Sequence, residues 1–234
     1  MDKLNIVCVS DFSYLPFARV LFNSIKCNVK IPYKVHLHTV DVFDEDLNFF
    51  RNTYEDIEIT KDELKLDETP DKNNKFYKSK KASYCTNIRA KIIYDLMVSG
   101  CKYILYLDVD SIVFKDLNLL FDMIKNASVL VRTRDDSKKL YTKVLAGVIG
   151  FNNNDKSLKF VKLWKTLVLN NLYRWGENQS MFGKAIENNL VTITPLPWEY
   201  IDTAGYAEKS FIWCGKGDRK FDNKKYIQAM EKYK

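Results

Sequence analysis

The sequence predicts an α/β protein in which a mixed, mostly parallel central sheet is flanked by helices. Three observations carry that expectation. Apolar runs of strand length recur at 4–9, 33–40, 103–107, 129–131 and 145–151, each bounded by polar or turn-forming residues. Stretches with a helical apolar period lie between them, the alternation that builds strand-helix-strand crossovers. The most apolar run, Tyr103-Ile104-Leu105-Tyr106-Leu107, ends abruptly in Asp108-Val109-Asp110. Side chains alternate across a strand, so an extended chain through Val109 puts both carboxylates on one side, roughly 7 Å apart at Cα. Open α/β sheets bind ligands at the carboxyl ends of their strands, and hard divalent cations take oxygens shared between carboxylates and phosphates.

The chain has 234 residues and no Gly/Ser/Pro-rich linker, so a single domain over 1–234 is expected. A composition of 46% hydrophobic and 29% charged residues is that of a soluble globular protein. The net charge of +7 is a solvated surface or an attraction for polyanions, and without a nucleic-acid module a phosphorylated small molecule ranks ahead of DNA or RNA. Five cysteines without a CxxC pair argue against a disulfide framework or zinc ribbon and for a reducing, cytoplasmic setting. The amino terminus enters a strand at once, and no stretch reaches the roughly 20 apolar residues that span a bilayer.

Leu4 to Val9 reads as the first strand, Ser10 to Tyr14 as a loop, and Pro16 to Lys26 as a helix with its proline in the first turn. In a strand-loop-helix opening Asp11 either caps the turn or bonds a base or ribose, and Tyr14 can stack on the base. Tyr33 to Val40 is a second parallel strand; His36 and His38 face one way on it, as satisfied strand residues or as a metal pair. Asp44 to Tyr54 reads as a helix, Ile57 to Ile59 as a strand, and Lys61 to Lys75 as a mobile excursion with little core. Ser79 to Leu96 reads as one helix with Tyr84, Ile88, Ile92 and Leu96 on its apolar face and Asn87, Arg89 and Lys91 on more polar ones. Arg89 is then a surface charge or reaches phosphate or sugar oxygens.

After the carboxylates come a strand at Ile112 to Phe114, a helix at Asp116 to Lys125 and a strand at Val129 to Val131. Arg132 to Asp136 is polar and exposed near the pocket. Leu145 to Phe151 is a strand whose Ala146 and Gly147 permit close approach, and Ser157 to Asn170 is a core helix. Trp175 opens a further helix running to Ile186, with Glu177, Asn178 and Gln179 in its first turn either capping it or holding sugar hydroxyls. A short strand at Val191 to Thr194 and an extended loop at Pro195 to Trp198 follow. Phe211 to Cys214 reads as a strand ending in the glycine-punctuated basic loop Gly215 to Lys220, suited to phosphate. The last helix, Asn223 to Lys234, is lysine-rich with Tyr226, Met230 and Tyr233 on one side.

Taken in order, from Ile6 to Lys220, these pieces resemble the glycogenin-like (family 8-type) retaining glycosyltransferases, which have the GT-A, Rossmann-like nucleotide-diphosphosugar transferase fold. The Arg89 helix and Tyr103-Ile104-Leu105-Tyr106-Leu107-Asp108-Val109-Asp110 resemble that family's arginine helix and YLDxD element. The resemblance implies Mn²⁺ or Mg²⁺ on Asp108 and Asp110, with Val109 between them at the donor. It implies uracil and ribose beside Val9, Asp11 and Tyr14, and the donor diphosphate or sugar beside Arg89. Ala146, Gly147 and Val148 resemble the family's NAGV strand at the sugar, and Asn178-Gln179 its DQ pair at the reacting centre. Cys214, Gly217 and Lys220 have the spacing of its closing His-x-x-Gly-x-x-Lys element, which implies Lys220 on the diphosphate and Cys214 in the place of the metal-binding histidine. Leu145 and Asn178 replace the family's usual Asn and Asp, and a thiol matches a hard cation poorly.

The implied reaction moves a hexose from a UDP-sugar to a hydroxyl of a glycan, protein or lipid acceptor. Retention would proceed by attack from the leaving-group face, with Glu177 or Gln179 orienting the sugar. Inversion would require a base, for which Asp135, Asp136 and Glu177 are the candidates. The basic last helix implies at most weak contact with a membrane surface. Two other readings stand beside this one. The departures at Leu145, Asn178 and Cys214 allow an inactive nucleotide-sugar or glycan-binding protein. A phosphohydrolase with its nucleophile at Asp108 would normally carry that motif after its first strand, and here at least two strands precede it.

Overall fold

The computed structural model describes residues 2–70, 78–134, 143–215, 217 and 219–234. The chain opens with β1 (Leu4–Asp11), α1 (Leu15–Asn28) and β2 (Tyr33–Val40), followed by α2 (Asp44–Thr53) and β3 (Ile57–Asp62). β1 is a run of apolar and small residues buried from Leu4 to Ser10, as expected of a strand covered on both faces. The helical segment after it divides into α3 (Lys80–Asn87) and α4 (Arg89–Val98), which lead into β4 (Tyr103–Leu107). Next come β5 (Ser111–Val113), α5 (Asn118–Asn126), β6 (Val129–Thr133), β7 (Val144–Asn152), α6 (Asp155–Leu169) and α7 (Glu177–Ile186). β8 (Ile193–Pro195), β9 (Ile212–Cys214), α8 (Arg219–Asp222) and α9 (Lys224–Lys232) complete the chain.

Seven strands form one sheet in the order β3-β2-β1-β4-β7-β6-β8, in which only the β4–β7 and β6–β7 pairs are antiparallel. β1 has β2 on one side and β4 on the other, both parallel to it. The order of connection therefore reverses between β1 and β4, and their carboxyl ends open at one switch point. One core cluster lies on each face of the sheet, beneath α1, α2 and α5 on one side and α4, α6 and α7 on the other. A third cluster joins Phe17 and Val20 of α1 to Tyr226, Ala229 and Tyr233 at the carboxyl terminus. No helix among the described residues is long and apolar enough to cross a membrane.

Several expectations are corrected. β4 does not continue through Val109; a turn follows it, closed by Ser111 N–H donating to Asp108 C=O at 2.9 Å. The strand at 111–113 pairs with β9 in a separate two-stranded sheet. The single helix expected over 79–96 is interrupted at Ile88, because Arg89 Nε donates at 2.6 Å to the Thr86 carbonyl, an acceptor that an uninterrupted helix would offer to residue 90. Asn87 and Arg89, expected on polar faces, are buried. The excursion expected over 61–75 is tied down at its start, since β3 extends to Asp62 and Asp41 (φ 52°) accepts the backbone N–H groups of Leu64, Lys65 and Leu66; residues 71–75 lie outside the described residues. The helix expected from Asp116 begins at Asn118, Asp116 instead accepting the amides of Lys30 and Leu117. The short strand expected at 191–194 lies at Ile193–Pro195.

The histidines are strand residues with partners. His36 Nε2 lies 3.0 Å from Asn5 Oδ1, and His38 lies between Thr60 Oγ1 and Asp62. Burial depresses both imidazoles, His36 to about 4, so they are neutral near pH 7.

Candidate active site

The carboxyl ends of β1 and β4 open into a cleft of about 330 Å³. Val9, Asp11 and Tyr14 line it from β1 and the turn after it, Arg89, Asp108, Val109, Asp110 and the buried Lys220 from its floor, Asn178 and Gln179 from α7, and Gly217 from the carboxyl-terminal loop. That volume is in the range of small-ligand sites. Asp11 serves the local fold as well, its Oδ1 accepting from Tyr14 N–H at 3.1 Å and Ser13 Oγ at 2.6 Å to cap the 3₁₀ turn at 12–14. Of its two alternatives the cap is the one observed, and it fixes the carboxylate at the cleft.

Each carboxylate of the turn has its own cation. Arg89 Nη1 lies 3.0 Å from Asp108 Oδ1 and donates at 2.8 Å to the Ala146 carbonyl, while its guanidinium stacks 4.4 Å above the Tyr106 ring. Tyr106 Oη donates to the same Asp108 oxygen. Asp110 Oδ2 accepts from Lys220 Nζ at 2.6 Å, and that ammonium also reaches Tyr14 Oη at 3.2 Å. Burial pushes the Asp110 carboxyl up to about 6 against the pull of Lys220, and the Asp110 charge holds the Lys220 ammonium above its ordinary value despite its own burial. The Asp110 carbonyl is bonded twice, by Gly215 N–H at 3.0 Å and by the Tyr226 hydroxyl.

Two glycines shape this floor. A Cβ at Gly147 would stand 2.9 Å from Asp108 Oδ2, and one at Gly215 would stand 2.6 Å from Asp110 Oδ2. Backbone thus packs directly against both carboxylates and leaves them facing the cleft. Two hard oxygen donors open to a phosphate-sized space fit a divalent cation whose remaining ligands come from substrate and water. Among the described residues no group of three or more His, Cys, Asp or Glu side chains is arranged around an ion position. Cys214, expected beside the metal, is buried with its sulfur accepting from Ser111 Oγ at 3.4 Å, and burial raises its thiol well above the ordinary range. It does not line the cleft.

Glu177 is also turned away, with its carboxylate 3.3 Å from Arg174 Nε. Ala146 and Gly147 act through the main chain, Gly147 C=O accepting from Asp108 N–H at 2.8 Å and Ala146 C=O from Arg89. Asp135 and Asp136 lie outside the described residues, and Arg132 begins the polar stretch as a half-buried β6 residue. The structure adds Ser10, Lys78, Cys85, Thr86, Tyr106 and Trp175 to the cleft lining, none of which has a sequence pattern that distinguishes it from core or surface.

A sheet reversing between β1 and β4, with a carboxylate turn at its open end, is a doubly wound α/β architecture, and its likeness to solved glycosyltransferases makes it the GT-A fold. Residues 5–178 match the family model Glycosyl transferase family 8, and the chain belongs to that family. Among solved structures, the chain is similar to the bifunctional glycosyltransferase WbbM in its apo form (14% identity, TM-score 0.61, 98% of this chain and 50% of that one). It is also similar to GlyE of Streptococcus pneumoniae TIGR4 (16%, TM-score 0.65, 100% and 60%). A third is the galactosyltransferase LgtC in complex with donor and acceptor sugar analogs (12%, TM-score 0.64, 97% and 95%). The chain therefore spans 50% to 60% of WbbM and GlyE, and at these identities the likeness is one of fold. No curated protein matches the sequence.

Proposed function

We propose that the protein moves a hexose from a UDP-sugar to a hydroxyl acceptor, with retention of configuration and with the help of Mn²⁺ or Mg²⁺. The observation that carries this reading is the convergence of two carboxylates and two buried cations, Arg89 and Lys220, on the floor of one cleft. The description of LgtC with donor and acceptor sugar analogs supports a sugar donor in this fold. Asp108 and Asp110 would hold the ion, which when bound stabilises negative charge on a diphosphate leaving group. Val9, Asp11 and Tyr14 offer an apolar wall, a carboxylate and a ring to the nucleoside. Lys220 lies between Tyr14 and Asp110, so its ammonium is placed to stabilise diphosphate charge in a water-poor site. Arg89 does the same from the sugar side, while Asn178 and Gln179 present hydrogen-bonding groups to hydroxyls.

Among the described residues the carboxylates lining the cleft are Asp11, Asp108 and Asp110, and all three have partners. With Glu177 paired to Arg174, this supports attack by the acceptor from the leaving-group face. The acceptor is a glycan, protein or lipid hydroxyl. Free cysteines at 8, 27, 85, 101 and 214 support a reducing, cytoplasmic setting for a single catalytic domain. The exposed Lys224, Lys225 and Lys232 support a weak contact with anionic membrane surface.

A panel of nucleotide sugars tested for Mn²⁺-dependent thermal stabilisation, followed by hydrolysis of the hit, tests the reading. A ligand at about a hundredfold above its Kd adds about 2.7 kcal/mol, or about 5 to 10 °C for a chain of this size. A UDP-sugar is expected to give that shift and to be hydrolysed. Stabilisation with no turnover of any donor would establish the inactive binding protein instead.

A further inference from the structure

Asn87 is a carboxamide with no exposed surface, at the carboxyl end of α3. Its Nδ2 donates to the carbonyls of Leu172 at 2.7 Å, Arg174 at 2.8 Å and Asn171 at 3.3 Å. Its Oδ1 accepts the Asn178 amide at 2.9 Å. A carboxamide has two hydrogens to donate, so this side chain is fully engaged, with the Asn171 carbonyl sharing a hydrogen at the longest distance. All four partners are main-chain groups of one segment, 171–178, which joins α6 to α7 and enters α7 through Gly176 at φ 82°. The Asn178 peptide is held from its other side by Trp164 Nε1, which donates to the Asn178 carbonyl at 2.9 Å.

The same segment supplies Trp175, Gly176, Asn178 and Gln179 to the cleft. Two residues after Asn87, across the interruption at Ile88, Arg89 reaches Asp108 and the Ala146 carbonyl. We infer that Asn87 is a positioning residue that sets the 171–178 segment, and with it Asn178 and Gln179, against the Arg89–Asp108 pair. Among the described residues the segment also bonds to its own flanks, Asn171 N–H to Val168 C=O, Arg174 N–H to Asn171 C=O and Ser180 N–H to Gly176 C=O, and Tyr173 stacks on Tyr84 of α3; Asn87 adds the four hydrogen bonds that tie its main chain to the end of α3. The inference rests on the reading of the cleft as a UDP-sugar site in which Asn178 and Gln179 face the sugar. Loss of a group that orients reacting parts lowers kcat more than binding.

The test is Asn87→Asp, which keeps the size and the acceptor oxygen but turns an oxygen toward three carbonyls. Turnover of UDP-glucose and UDP-galactose with Mn²⁺, the Kd of UDP with Mn²⁺, and amide hydrogen exchange are measured on the full chain. The expected result is a kcat lower by about 10- to 100-fold, a UDP Kd within about threefold of wild type, and faster exchange confined to 171–179. Unchanged kcat, or equal losses of kcat and UDP affinity with faster exchange across β1 and β4, would overturn it. If wild type neither turns over these donors nor binds UDP with Mn²⁺, the UDP-sugar reading fails by itself. The exchange pattern then decides the positioning claim: local acceleration at 171–179 supports it and its absence ends it. Should Asn87→Asp not fold, Asn87→Ala removes the same donors without adding charge and carries the same expectations.

Discussion

Asp108 and Asp110 are separated by one residue, yet the chain treats them differently. The Asp108 side chain is 33% exposed, and its partners Arg89, Tyr106 and Gly147 all fall within residues 5–178 that match the family model. The Asp110 side chain is 11% exposed, and its partners Lys220, Tyr226 and Gly215 all lie beyond that match. The first carboxylate is screened by solvent and can exchange one oxygen contact for another. The second depends on a single buried ammonium delivered by the last turns of the chain. A carboxyl-terminal segment that reads as a basic surface helix is therefore structural support for the carboxylate turn.

The largest effect that sharpens this contrast is expected from Asp110→Ala. It leaves the Lys220 ammonium buried and unpaired, at a cost of about 3 to 5 kcal/mol, so the fold is weakened as well as the site. Adding Lys220→Met removes the orphaned charge and should restore most of the lost Tm in a thermal melt. Asp108→Asn keeps an acceptor oxygen toward the buried Arg89, which also retains the Thr86 and Ala146 carbonyls, and should cost less, about 1.5 kcal/mol; equal costs at the two positions would break the comparison. Next in size is Arg89→Met, expected to lower donor turnover about 100-fold while UDP binding, measured by titration calorimetry, changes less.

A tenfold effect is expected from pH. The Asp110 carboxyl takes its proton at about 6 in the folded protein instead of 3.8, so Mn²⁺-dependent affinity for a UDP-sugar should fall as pH drops through 6, by about tenfold at pH 5. The stability contribution of this group runs the other way. A raised carboxylate pKa means that the folded state binds the proton more tightly than the unfolded chain, so between about 6 and 4 its contribution to stability rises as pH falls. The smallest effect belongs to Tyr226→Phe. The Asp110 carbonyl keeps Gly215 N–H, so the loss should be about 1 kcal/mol in chemical denaturation.

The sheet was legible because burial on both faces writes itself as unbroken apolar runs, of which β1 and β4 are the clearest. Asp108 and Asp110 were legible for the same reason, as charges interrupting such a run. The turn through Val109 was not, because extended and turned backbones of these three residues have the same composition, and the closing bond from Ser111 to Asp108 is main chain to main chain. Asn87 was hidden more deeply. Periodicity counts a carboxamide as surface, and its partners are loop carbonyls more than 80 residues away that carry no side-chain signal. Cys214 was legible only through the resemblance, which set it in the place of a metal-binding histidine; its pairing in β9 and the burial of its sulfur against Ser111 carry no sequence signal. Tyr226 reads as one of two tyrosines that share a helix side with Met230, and only the packing onto Tyr206 and Asp110 separates it from Tyr233.

The central claim is that the Asp108-Val109-Asp110 turn holds a divalent ion together with the donor's diphosphate. The most direct measurement is the affinity for a UDP-sugar in Mn²⁺ and in chelator, compared between wild type and Asp110→Ala/Lys220→Met, the variant in which no buried charge is left unpaired. The account predicts that Mn²⁺ tightens binding at least about tenfold in wild type, worth about 1.4 kcal/mol, and not at all in the double variant. A double variant that keeps the full Mn²⁺ enhancement would contradict it.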